Sequence, residues 1–264
     1  MEDTKKVNAY GRTQVDKPKW LVIACEVMYR DVCRAAARTK NVVDMRFVRQ
    51  GLHSVGKEIM PQELQKELDK VDPEQYDAIL LGYGLCNYGI RGLSAKVPMV
   101  VPRGHDCITF FMGSKEWYRQ YFAENPGTFY YSSGWLERDS EKSTLTESGG
   151  EGRRGAYEHY VEQFGEEAAA FLDAALGDPM AEYRKLAYIM TSPEDHDERF
   201  TSEARQIAER REWEYEELDG SPRIFDHMLS GDWNEAEFLI VPPGETIEPT
   251  YDEMLIKSVA PRGV

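Results

Sequence analysis

The chain is short of positive charge, of cysteine and of long apolar runs, and each shortage removes a class of function. Lysine and arginine number 32 against 47 acidic residues in 264, a formal net charge of −15. A surface of that sign repels phosphate backbones, so nonspecific nucleic-acid binding loses its main electrostatic term. It is equally ill suited to anionic membranes. No apolar run approaches the roughly 20 residues that cross a bilayer. The opening MEDTKKVNAYGRTQVDKPKW carries no signal-peptide core, so the expected setting is the cytoplasm. Four cysteines in a chain of this length do not read as a disulfide framework. There is no CxxC pair and no Gly-x-Ser-x-Gly nucleophile elbow.

What is present is an ordinary globular balance, 41% hydrophobic and 30% charged. After a polar lead-in over residues 1–18, β and α patterns alternate. LVIACEV (21–27), NVVDMRFV (41–48), YDAILLGYG (76–84) and VPMVVPRG (97–104) read as buried parallel strands. MYRDVCRAAARTK and MPQELQKELDKV (60–71) read as helices between them. FFMGSKEWYRQYFAEN is expected as one further helix, and FYYSSGWL as a strand.

A Gly/Ser-rich polar segment, 139–155, separates this core (19–138) from a second half (156–250) and a tail (251–264). The second half promises a helix over 157–176, a strand KLAYIMT (185–191), a helix from Ser192, a strand EWEYEEL, and EAEFLIVPPG as the last strand. The alternation predicts an α/β fold: a mostly parallel, Rossmann-like sheet with helices on both faces and room for a second, smaller α/β lobe.

Three cysteines fall at the ends of predicted strands: Cys25 near the end of the first, in ACE, Cys86 after the third, in GYGLCNYG, and Cys107 after the fourth, in PRGHDC. Parallel strands bring their carboxyl ends to one edge, where ligand sites gather. Turns into helices there also favour thiolates. Zinc and iron–sulfur clusters both take thiolate ligands, with imidazole a common companion. His105, two residues from Cys107, and His53, after the second strand, are rival fourth ligands or acid/base groups. Asp106 and Glu26 are candidates to orient ligands. Cys33 lies inside a predicted helix and reads as a packing residue. Gly82 and Gly84 allow a phosphate-cradling turn as well as a tight turn that delivers Cys86. The segment matches no dinucleotide fingerprint and no Walker lysine follows it.

The pieces ACE, Leu52-His53, YDAILLGYGLC, PRGHDCITFFMGS, NPGTFYYSSGWLER and YRKLAYIMT, in that order, resemble an uncharacterised prokaryotic family, domain of unknown function 1638. The resemblance runs from about residue 20 to 245. It implies Cys/His enrichment at Cys25, His53, Cys86, His105 and Cys107, and a setting beside corrinoid proteins and their methyltransferases in one-carbon metabolism. Three functions follow as expectations. The first is a zinc-dependent methyltransferase, or a subunit of one, acting on a small-molecule thiol with a corrinoid protein. The others are an iron–sulfur protein and a non-catalytic metal- or cofactor-binding accessory protein.

Overall fold

The computed structural model describes residues 17–50, 52, 59–86, 88–138, 157, 160–176 and 180–261. His53, the start of the lead-in and the 139–155 segment lie outside the described residues.

The first sheet is built from β1 (Lys19–Cys25), β2 (Val42–Val48), β3 (Ala78–Gly82), β4 (Met99–Pro102) and β8 (Phe238–Val241), in the order β2-β1-β3-β4-β8. All its pairings are parallel except β4 with β8. β1, β3 and β4 are apolar runs because both faces are covered, and alternate residues point to opposite sides; the edge strand β2 is half-exposed. Leu21, Ile23, Ile79 and Leu81 pack against Met60, Leu64 and Leu68 of α2 (Ile59–Asp69). Val22, Ala24, Leu80 and Val100 face a helical layer on the other side. That layer is α1 (Tyr29–Arg38), α3 (Cys107–Met112) and α8 (Arg223–Ser230).

The second sheet holds β5 (Thr128–Ser132), β6 (Lys185–Met190) and β7 (Glu214–Asp219), in that order and all parallel. Ala187 and Ile189 join the core shared with α1, α3 and α8. Leu186 and Tyr188 turn the other way, onto Phe200, Ala204 and Ile207 of α7 (Glu198–Arg210). The helical layer is thus sandwiched between the two sheets. Expectation and structure agree on a mixed α/β fold with mostly parallel sheets.

Sheet membership does not follow chain order: β5 precedes the 139–155 segment yet belongs to the second sheet, and β8 returns to the first. Several boundaries also differ from the sequence reading. The single helix expected from Phe110 is two, α3 and α4 (Lys115–Glu124), because Gly113 takes a left-handed φ of 74° and Ser114 caps α4 through Trp117 N–H. FYYSSGWL is strand only to Ser132; its second half is α5 (Ser133–Arg138). Gly165 (φ 82°) precedes α6 (Glu166–Leu176). Pro193–His196 forms a separate 3-10 turn before α7. The chain does not end its strands at residue 241: β9 (Thr246–Pro249) and β10 (Ile256–Val259) form an antiparallel hairpin. Among the described residues no helix is long and apolar enough to cross a membrane.

Candidate metal centre at the carboxyl edge of the first sheet

β1, β3 and β4 run in the same direction, so their carboxyl ends share an edge. Between β1 and β3 the strand order reverses, the place where open α/β sheets leave a crevice. Cys25 is the last residue of β1. Cys86 lies four residues beyond the end of β3, and Cys107 opens α3 after β4. The glycines between them permit close packing. A Cβ on Gly82 would stand 2.6 Å from the Ala24 Cβ, and one on Gly84 would stand 2.8 Å from the Asp106 nitrogen. The two loops are then joined by Leu85 N–H to Gly104 O (2.8 Å) and Cys86 N–H to His105 O (2.7 Å). Cys86 itself sits at φ 44°, a left-handed conformation that costs a residue with a Cβ roughly 1–2 kcal/mol. The loop geometry holds the thiol there against that cost.

The three thiols interact. Burial pushes Cys25 up to about 11, opposed mainly by the Val27 backbone N–H. Cys86 is raised further, by burial first, then by the charges of Asp106 and Cys25. Cys107 is raised by burial, then by Asp106, Cys86 and Cys25, and is eased by a hydrogen bond from the Trp135 side chain. Each negative charge at this edge therefore opposes the next. All three cysteines are intermediate in exposure, so the cluster is not sealed from solvent.

The surroundings are polar and partly unsatisfied. Asp106 caps α3, accepting from Ile108 N–H (3.0 Å) and from the Tyr118 hydroxyl (3.1 Å). Burial raises its pKa against those bonds. The Glu26 carboxylate accepts from Gln50 N–H (2.7 Å), tying the end of β1 to the end of β2. The Tyr83 hydroxyl sits beside Cys25 and Cys86. It hydrogen-bonds the Cys25 sulfur, while the buried Thr109 and Tyr130 hydroxyls and the Gln50 side-chain oxygen have no hydrogen-bond partner among the described residues. Buried polar atoms are rarely left this way in folded proteins.

Of the residues singled out from sequence, Cys25, Cys86 and Cys107 converge. The His105 side chain is exposed, near enough to Asp106 to favour its ionised form. Cys33 is a half-buried residue on α1, on the wall of a cleft with Tyr29 and Arg138. Among the described residues, no group of three or more His, Cys, Asp and Glu side chains is set at metal-holding positions. The donor chemistry nonetheless suits a soft ion, because the three groups drawn to this edge are thiols. Sequence reasoning missed Tyr83, Trp135 and Tyr130. Tyr83 lies within GYGLC, but a hydroxyl leaves no periodic signal, and Tyr130 and Trp135 fall within FYYSSGWL, which reads as a strand.

The fold and the edge define a class: a layered α/β protein with a three-thiol cluster at a strand-order reversal. A family model described as a protein of unknown function (DUF1638) matches residues 47–229, well over half of the chain. The chain belongs to that family. Cys86, His105 and Cys107 fall within the match, while Cys25 precedes it. No curated protein and no solved structure matches the chain.

Proposed function

We propose that this edge holds a zinc ion through Cys25, Cys86 and Cys107 and that the protein is a methyltransferase, or a subunit of one, for a small-molecule thiol. The observation that supports this most is the placement of Cys25, Cys86 and Cys107, far apart in the chain, at the carboxyl ends of β1, β3 and β4, with the Cys86 and His105 loops joined by backbone hydrogen bonds. Zinc bound by three protein ligands supplies an open position that keeps a substrate thiol deprotonated near neutral pH. The chain's own part is to gather the ligands and to shed their thiol protons when metal binds, the cation's charge offsetting the repulsion among the thiolates so formed. Trp135 steadies Cys107, and Asp106 fixes the turn that presents it. His105 or His53 completes the resting site or takes the substrate's proton.

In the transfer, the substrate thiolate attacks the donor's methyl carbon. A sulfur–carbon bond forms, the bond from methyl to donor breaks, and its electron pair stays with the donor. A methylcorrinoid carried by a corrinoid protein is the donor class the family resemblance suggests.

Elemental analysis of anaerobically purified protein tests the site. Zinc is expected near one equivalent in the wild type and in Cys33→Ala, and lost in Cys86→Ala. Equal zinc in wild type and Cys86→Ala overturns the ligand assignment. A brown preparation with iron and sulfide moves the reading to an iron–sulfur protein. Zinc-loaded protein that takes up no thiol removes the methyl-transfer reading. Tight binding of a corrinoid protein without turnover would point to an accessory role.

A further inference from the structure

Away from the cysteine edge, a cleft of about 480 Å³ opens between α1 and α5, lined by Tyr29, Arg30, Cys33, Arg34, Glu137 and Arg138. Of its three guanidiniums, Arg30 is paired with Glu137 and Arg34 with Asp31 and Asp195, which leaves Arg138 to offer positive charge to the cleft. We propose that this cleft binds a small molecule carrying a carboxylate or phosphate group on an apolar body, with Arg138 as the principal partner of the anion.

The three arginines differ in how they are held. Arg30 grips Glu137 through Nε (2.6 Å) and Nη2, which leaves Nη1 to donate elsewhere. Arg34 is fixed from behind by Asp195, with Nη2 to Oδ1 at 2.8 Å. Both are therefore held in place before any ligand arrives, which lowers the entropy lost on binding.

Arg138 is the exception. Its guanidinium lies 4.9 Å from the centroid of the Tyr29 ring, and no carboxylate among the described residues lies within ion-pair distance of it. A guanidinium stacked on an aromatic face turns its N–H fork outward, the geometry that receives a carboxylate or phosphate through two parallel bonds. Tyr29 is 41% exposed and is braced by Phe47, with ring centroids 5.0 Å apart, so it offers an apolar wall beside the fork. A cleft of this size suits a small organic ligand rather than a bare ion. Cys33, half-buried in the same wall, makes a built-in reporter. The proposal does not rest on the zinc reading, and neither stands or falls with the other.

Titration calorimetry of the full chain at low ionic strength with phenyl phosphate and with benzoate tests it; which of the two binds tells phosphate from carboxylate. We expect one saturable site for at least one probe, weakened about tenfold or more by Arg138→Gln and unchanged by Arg119→Gln on α4. The bound probe should also slow iodoacetamide labelling of Cys33, followed by peptide mass spectrometry. Arg138 is exposed, so the variant should melt like the wild type. If it does not, protection of Cys33 in the wild type decides. Absence of saturable binding overturns the proposal. So does equal affinity in Arg138→Gln, or labelling of Cys33 indifferent to saturating probe.

Discussion

The Arg34 guanidinium on α1 reaches Asp195 beyond the end of β6, Nη2 to Oδ1 at 2.8 Å, and so ties the helical layer to the second sheet. Asp195 also accepts from the Ser133 hydroxyl (2.7 Å) and from Thr191 N–H (3.0 Å). Thr191 in turn donates its hydroxyl to Asp31. Burial opposes ionisation of Asp195, yet Arg34 and Ser133 hold its pKa below the ordinary value.

Removing the cation should therefore cost more than an ordinary surface pair. Arg34→Met strands Asp31 and Asp195, 3% and 2% exposed, without a counter-charge. The expected loss is about 3–5 kcal/mol, read from urea denaturation. A loss under about 1 kcal/mol would mean that the pair behaves like an exposed one.

Asp31 gives this network a pH dependence of its own. Burial raises its pKa to about 6; the Thr191 hydrogen bond and Arg34 oppose the rise, and the Asp195 charge adds to it. The folded protein then holds this proton more tightly than the unfolded chain does. Its stabilising contribution is complete below about pH 4 and disappears as pH rises through about 6. Asp31→Asn, which mimics the protonated acid, should stabilise by up to ~3 kcal/mol at pH 8, with the gain vanishing near pH 4. Melting curves of both proteins across that range check the sign; a gain that grows toward acid pH is the opposite of this account.

Gly82 and Ala24 make a paired test of loop packing. Gly82→Ala places a methyl 2.6 Å from the Ala24 Cβ and should cost about 1–3 kcal/mol by overpacking. Ala24→Gly in the same chain should recover part of that loss. Without recovery in denaturant melts, the contact is not what makes Gly82 necessary.

Tyr83→Phe separates fold from site. Its hydroxyl bonds the Cys25 sulfur, a weak acceptor, so deletion should change stability by less than about 1 kcal/mol. Zinc content should nevertheless fall if the hydroxyl helps to seat the bound metal. An unfolded variant would show instead that the hydroxyl carries a structural bond.

Much of this architecture is legible in the sequence because a parallel sheet covered on both faces writes itself as apolar runs. β1, β3 and β4 are such runs, and Cys25, Cys86 and Cys107 follow from reading where they end; β2, at the sheet edge, carries Asp44 and Arg46 and buries no residue. β7 could be found by position, although its buried residue is only Leu218. The break at Gly113-Ser114 carried a visible signal, a glycine stop followed by a serine cap, obscured by aromatic spacing that continues on both sides. Less could be read of the polar contacts. Arg34, Thr191 and Asp195 are separated by up to 161 residues, and no local pattern records their meeting. Tyr83 and Trp135 likewise acquire their place only when β3 and α5 are brought to one edge.

Because β5 leaves for the second sheet before the polar segment and β8 comes home after it, the chain is laced through both halves. A cut between residues 139 and 155 would hand each fragment a sheet lacking one of its strands. Expression of either piece alone is therefore a poor route to an isolated thiol cluster or an isolated arginine cleft. Co-expressed fragments that find each other would be the natural way to ask how much of the fold the connection itself supplies.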